Sequence, residues 1–160
     1  MQEFSTRKWF RPEDIKKEST MRFMLLMYPG PGFDKPFDQI DMSPEVFAEM
    51  DNFNKRLGDA GKLLSGDGLH PSSEGAIVSF RNKDKKAVVT DGPFPESKEV
   101  LGGFWIIQAD SLEEAVGWAS QIPTGGTEQI EVRRIYDFDD FPQEVQDASP
   151  YEKSVREGVS

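Results

Sequence analysis

Residues 90–103 read T-D-G-P-F-P-E-S-K-E-V-L-G-G, placing a turn, a short charge run and a glycine pair between two apolar stretches. Asp91-Gly92-Pro93-Phe94 has the chemistry of a tight loop. The aspartate can accept backbone N–H groups, the glycine is open to unusual backbone angles, the proline fixes φ and the ring can plug a core. On the N-terminal side, residues 75–80 and 85–90 are short apolar strands separated by the polar break Arg81-Asn82-Lys83-Asp84, a pattern that predicts a hairpin. On the C-terminal side, residues 103–109, G-F-W-I-I-Q-A, predict a strand with apolar groups on both faces.

Further outward the period changes. Residues 22–28, R-F-M-L-L-M-Y, form another strand that is apolar on both sides, ended by Pro29-Gly30-Pro31-Gly32. From Ser43 the apolar positions Val46, Met50, Phe53, Leu57 and Ala60 fall on one helical stripe, with Ser43 as N-cap, Pro44 at the first helical position and Gly61 closing the helix. A strand follows at 62–69. Ser111 and Glu114 have capping-box spacing, and Leu112, Ala115, Val116, Ala119 and Ile122 continue a second helix that ends before Pro123. Residues 129–136 make the last strand. Setting the hairpin aside leaves β-α-β-β-α-β, an α+β ferredoxin-like plan with both helices on one face of an antiparallel sheet. The domain organisation is a charged arm at 1–20 carrying Trp9 and Phe10, a domain at 21–136, and an acidic tail at 137–160, broken by Pro142 and Pro150, that reads as an arm or a short appended helix. Strands apolar on both faces need a second cover, which predicts a homodimer with sheets packed face to face.

The D-G-P-F string, followed by Glu96, Lys98, Glu99 and Leu101-Gly102-Gly103-Phe104, resembles the YCII-related, DGPF-domain proteins over about residues 21–135. The resemblance implies a small bacterial domain that assembles as a dimeric α+β barrel, in a family most of whose members have no assigned activity. Relatives show G-E-x-L before a polar residue and proline, so Asp67 in Gly66-Asp67-Gly68-Leu69-His70-Pro71 takes the acidic position. More distant relatives use a histidine–aspartate pair with the histidine on the first helix, and this chain has no histidine there. Members encoded beside, or fused to, alternative sigma factors imply a role around transcription.

Composition narrows the chemistry. The 160 residues suit one domain with tails. With 19 Lys+Arg against 29 Asp+Glu, the net charge of -10 repels a phosphate backbone, so no direct nucleic-acid partner is expected. Cysteine is absent, which removes disulfides, thiolate nucleophiles and cysteine metal sites, and a zinc site cannot be built on His70, the single histidine. No apolar run has the length of a signal peptide or membrane span, so a cytoplasmic protein without membrane, metal or cofactor is expected.

Asp91, at a strand end, is a candidate general base, and Asp67 and His70 are candidates for base and proton shuttle. Gly92, Pro93, Phe94, Glu96, Lys98 and Glu99 are candidate ligand contacts, with Lys98 as an anion contact. Each has a plainer reading: the D-G-P-F loop as a staple, the charge run as solvated surface, and His70 as an incidental loop residue. The functional expectation is a cleft near the D-G-P-F loop that binds a small polar or aromatic molecule, as in a cofactor-independent lyase, isomerase or hydrolase. The alternative is a non-catalytic regulatory or protein-binding module, with partners docking through the terminal arms.

Overall fold

In the computed structural model, which describes residues 20–80, 87–93 and 100–156, the first half of the chain forms β1 (Met21–Tyr28), α1 (Pro44–Asp59), β2 (Leu63–Gly68), β3 (Ala76–Phe80) and β4 (Ala87–Asp91). The second half forms β5 (Gly103–Ala109), α2 (Leu112–Ala119), β6 (Gln129–Arg134) and two short tail helices, α3 (Gln143–Asp147) and α4 (Pro150–Arg156). One sheet has the order β2-β5-β1-β6, antiparallel throughout, and β3 and β4 form a separate two-stranded antiparallel sheet. This is the ferredoxin-like α+β plan with an inserted hairpin. The 81–84 break, Trp9 and Phe10 lie outside the described residues.

Alternation along β1 and β5 builds the core. Phe23, Leu25, Trp105, Ile107 and Ala109 are buried on the face covered by Phe53 and Leu57 of α1 and Ala115 of α2, with Ile122 beyond that helix. The Phe53 and Trp105 rings meet edge to face, with centroids 6.1 Å apart. The expected stripe on α1 is only partly buried: Phe53 and Leu57 are buried, whereas Val46 and Ala60 are exposed. Ser43 has N-cap backbone angles, but its side chain makes no capping bond, and its hydroxyl instead interacts with the Glu45 carboxylate.

The start of α2 is better tied. Ser111 Oγ accepts from Glu114 N at 3.1 Å, and Glu114 Oε2 accepts from Asp110 N at 2.7 Å, one residue before the expected reciprocal donor. Lys62 Nζ lies 2.6 Å from Glu114 Oε1, joining α2 to the residue that precedes β2. The Asp110 N–H, and then the Lys62 ammonium, hold the Glu114 carboxyl below the usual glutamate range. Leu112 and Val116 are exposed, so α2 covers the sheet chiefly through Ala115 and the residues that follow it.

The opposite sheet face is half-covered. Register aligns Asp67, Phe104, Leu26 and Glu131 in one row and Ser65, Ile106, Met24 and Arg133 in the next. Four half-buried apolar side chains therefore sit between polar edges. The hairpin exposes Ile77, Val78, Phe80, Val88 and Val89. The tail folds back on β1 and β6 through Arg22 Nε to Asp137 Oδ1 at 3.0 Å and Arg134 Nη2 to Asp140 Oδ1 at 2.7 Å. Among the described residues no helix is long and apolar enough to cross a membrane.

Phe53→Ala is expected to destabilise the protein by about 3–5 kcal/mol in urea unfolding, as an emptied site beneath Trp105 would. Glu114 has a depressed folded-state pKa, so its stabilising contribution is present above the ordinary glutamate range and is lost as pH falls through it. Glu114→Gln should therefore lower the melting temperature at neutral pH, and the gap from wild type should close on acidification; a gap independent of pH would contradict this.

Candidate functional site

The turn after β1 bends the chain back across the end of β2 and encloses a cleft of about 620 Å³. Its walls come from the loop carrying Pro29 to Lys35, from Phe37 and Ile40, from Gly68 to Pro71, and from Val100 to Gly102. Most of this lining is apolar; among the described residues the ionisable side chains on it are Asp34, Lys35 and His70. Asp34 is committed to the scaffold. Its Oδ1 accepts from Ser72 N at 2.6 Å and its Oδ2 accepts from Ser72 Oγ at 2.5 Å, and Ser72 is 5% exposed.

Ser72 also explains the glycine of the D-G-P-F loop. A Cβ on Gly92 would run into the Ser72 carbonyl, and the Gly92 N–H donates to Gly75 O at 2.9 Å. Asp34, Ser72 and Gly92 thus form a brace that fixes the loop directly behind the cleft wall. The Gly92–Pro93 peptide is cis.

A second cavity of about 420 Å³ lies between α1 and the β2–β5 pair. Met27, Phe47, Met50, Leu63 and Trp105 line it together with Asn54, whose Oδ1 accepts from Trp105 Nε1 at 2.9 Å. That bond leaves the Asn54 amide N–H groups as donors. Gly66 lets the indole lie against the strand, since a Cβ there would stand 2.9 Å from Trp105 Cδ1. Gly68 and Gly102 border both cavities.

The candidate catalytic residues are not brought together. Asp91 is exposed at the end of β4 opposite Ala76, and none of Asp91, Gly92 and Pro93 lines either cavity. Asp67 borders the smaller cavity, but it lies opposite Phe104, which puts its side chain on the sheet face away from α1. His70 lines the larger cleft, with its side chain 83% exposed and its Nδ1 3.2 Å from Glu74 Oε2. Its acidic neighbour is therefore Glu74 and not Asp67. Phe94, Glu96, Lys98 and Glu99 lie outside the described residues. Among the described residues no three His, Asp or Glu side chains gather where a metal ion could sit.

Three contributors were not singled out from sequence: Asp34, Ser72 and Asn54. Asp34 follows a run that reads simply as turn chemistry. Asn54 is a polar residue next to core position Phe53, and a polar residue there was the one available signal that the helix flank faces a polar partner.

A family model described as YCII-related domain matches residues 21–139. An uncharacterised protein of Rhizobium meliloti (strain 1021) is 30% identical over 101 residues, covering 61% of this chain and 80% of that protein.

Gly92→Ala should cost about 1–3 kcal/mol or more in urea unfolding, because the new methyl meets backbone and not a movable side chain. Stability equal to wild type would show that the contact with Ser72 is not the reason for glycine.

Proposed function

This chain belongs to the YCII-related family, and on that premise we propose that it binds a small polar or aromatic molecule in the cleft beside the D-G-P-F loop, as a homodimer. The observation that carries the reading is the larger cleft itself: a concave, mainly apolar surface of about 620 Å³ with a few polar side chains at defined places. Its wall is braced from behind by the Asp34–Ser72–Gly92 contacts, so the site does not have to be ordered by the ligand. Of the three acid–base candidates, His70 lines this cleft. It is the group available for proton transfer to a bound molecule, with Glu74 beside it. In this reading Asp91 acts at the loop and not on the ligand.

The half-covered sheet face supports the homodimer. Its apolar centre of Met24, Leu26, Phe104 and Ile106 is edged by Asp67 and Ser65 on one side and by Glu131 and Arg133 on the other. A two-fold axis parallel to the strands would set the β2 edge of one copy over the β6 edge of the other. An apolar centre with a polar rim is the ordinary anatomy of a protein interface.

Native mass spectrometry of the full chain checks both parts, since one spectrum reports subunit number and any retained small molecule. A dimer is expected, with Leu26→Arg giving monomer. A wild-type monomer at micromolar concentration would sink the assembly reading. For the cleft, a fragment set should shift the methyl NMR signals of Leu69 and Leu101; if no fragment moves them, ligand binding at this site is wrong.

A further inference from the structure

The two cavities share more than a border. Gly68 and Gly102 belong to both linings; the Pro29 ring packs against Gly102, whereas the space beside Gly68 is open. Phe37 lines the larger and Phe47 the smaller, and their rings touch with centroids 5.4 Å apart. The chemistry of the two ends differs. In the inner compartment Phe47, Trp105, Met27 and Met50 offer aromatic and thioether surface, which suits a planar ring. The polar side chain that α1 contributes there, Asn54, is uncharged.

At the outer end the Lys35 ammonium is exposed and has no carboxylate partner among the described residues. Both oxygens of Asp34 are taken up by Ser72, and His70 faces Glu74. The overall charge of -10 opposes an anion at long range, but in physiological salt that field is screened beyond about 8 Å, and the nearest cation then decides.

We propose that the two cavities are one groove that takes an aromatic carboxylate, with its ring among Phe47, Met50 and Trp105 and its anionic group at Lys35. This deepens the reading of the cleft as a ligand site and rests on it. Gly68 is the residue that keeps the groove open. A Cβ at this position meets nothing within 4 Å and the backbone is not in the left-handed region, so a larger residue fits the strand. Residues two apart on a strand share a face, so that side chain would stand with Gly66 on the α1 side, in the passage between the compartments.

The test is calorimetric titration of the full chain with phenylacetate, 3-phenylpropionate, 4-phenylbutyrate and 5-phenylvalerate, beside the amines of matching length. Affinity should rise by about tenfold at the chain length that first lets ring and carboxylate reach both ends, and the amines should bind about tenfold more weakly. Lys35→Met should remove the preference for acid over amine. Gly68→Val should abolish the length dependence at unchanged melting temperature; should it lower that temperature, Phe47→Ala, which trims an exposed ring, gives the same readout. Affinities independent of chain length, or a Gly68→Val protein that binds every acid like wild type, would overturn the continuous groove while leaving the cleft as a site. Binding of none of the acids or amines, together with silent Leu69 and Leu101 methyl signals, would overturn the cleft reading as well.

Discussion

The sheet face that carries Phe23, Leu25, Trp105 and Ile107 has to be kept from water, and everything else in the molecule is arranged around the way α1 and α2 do it. Each large side chain buried there contributes about 1.5–3 kcal/mol relative to exposure. Phe53 and Leu57 are the two residues of α1 that reach this face fully. The turns of α1 before them are left standing beside the sheet, over the glycine-containing end of β2. The inner cavity follows from that geometry, since a strand with Gly66 and Gly68 in place of larger residues has nothing to fill the space under Phe47 and Met50. Trp105 connects core and cavity: its ring packs on Phe53 and its N–H is satisfied by Asn54 at the cavity wall.

The D-G-P-F loop is held by a different constraint, steric rather than hydrophobic. Ser72 is buried, its N–H and hydroxyl are engaged by Asp34, and its carbonyl occupies the place where a side chain at position 92 would have to go. The glycine therefore answers a packing demand. Asp91 is exposed at the end of β4, outside both cavities. The same brace fixes the cleft wall on which His70 and Pro71 are carried.

Among the described residues two apolar surfaces are incompletely covered. The outer sheet face is half-shielded by its own neighbours, whereas the hairpin shows Phe80 at 68% and Val89 at 62% exposure. A lone two-stranded hairpin is marginally stable in water. Its contacts at the base, where Gly92 N meets Gly75 O and Ser72 packs on the loop, supply an anchor that pairing alone does not.

Element type and order were legible because the periods that encode them are local. The short apolar runs at residues 22–28 and 103–109, the stripe of Met50, Phe53 and Leu57, and the Ser111–Glu114 spacing each reveal an element within a few residues, and the change of period from strand to helix gives the plan. The two-sided apolar character of β1 and β5 was legible in the same way. The site was not. Asp34 and Ser72 are 38 residues apart, Asn54 and Trp105 are 51 apart, and nothing in a local window marks either pair. Asp67 and His70, neighbours in sequence, are separated because a strand sends alternate side chains to opposite faces and the turn after β2 gives His70 to Glu74. Sequence by itself determined the elements, their order and the family, since these depend on short-range pattern; which polar groups meet, and where the cavities lie, was decided only when chain reversal brought distant segments into van der Waals contact.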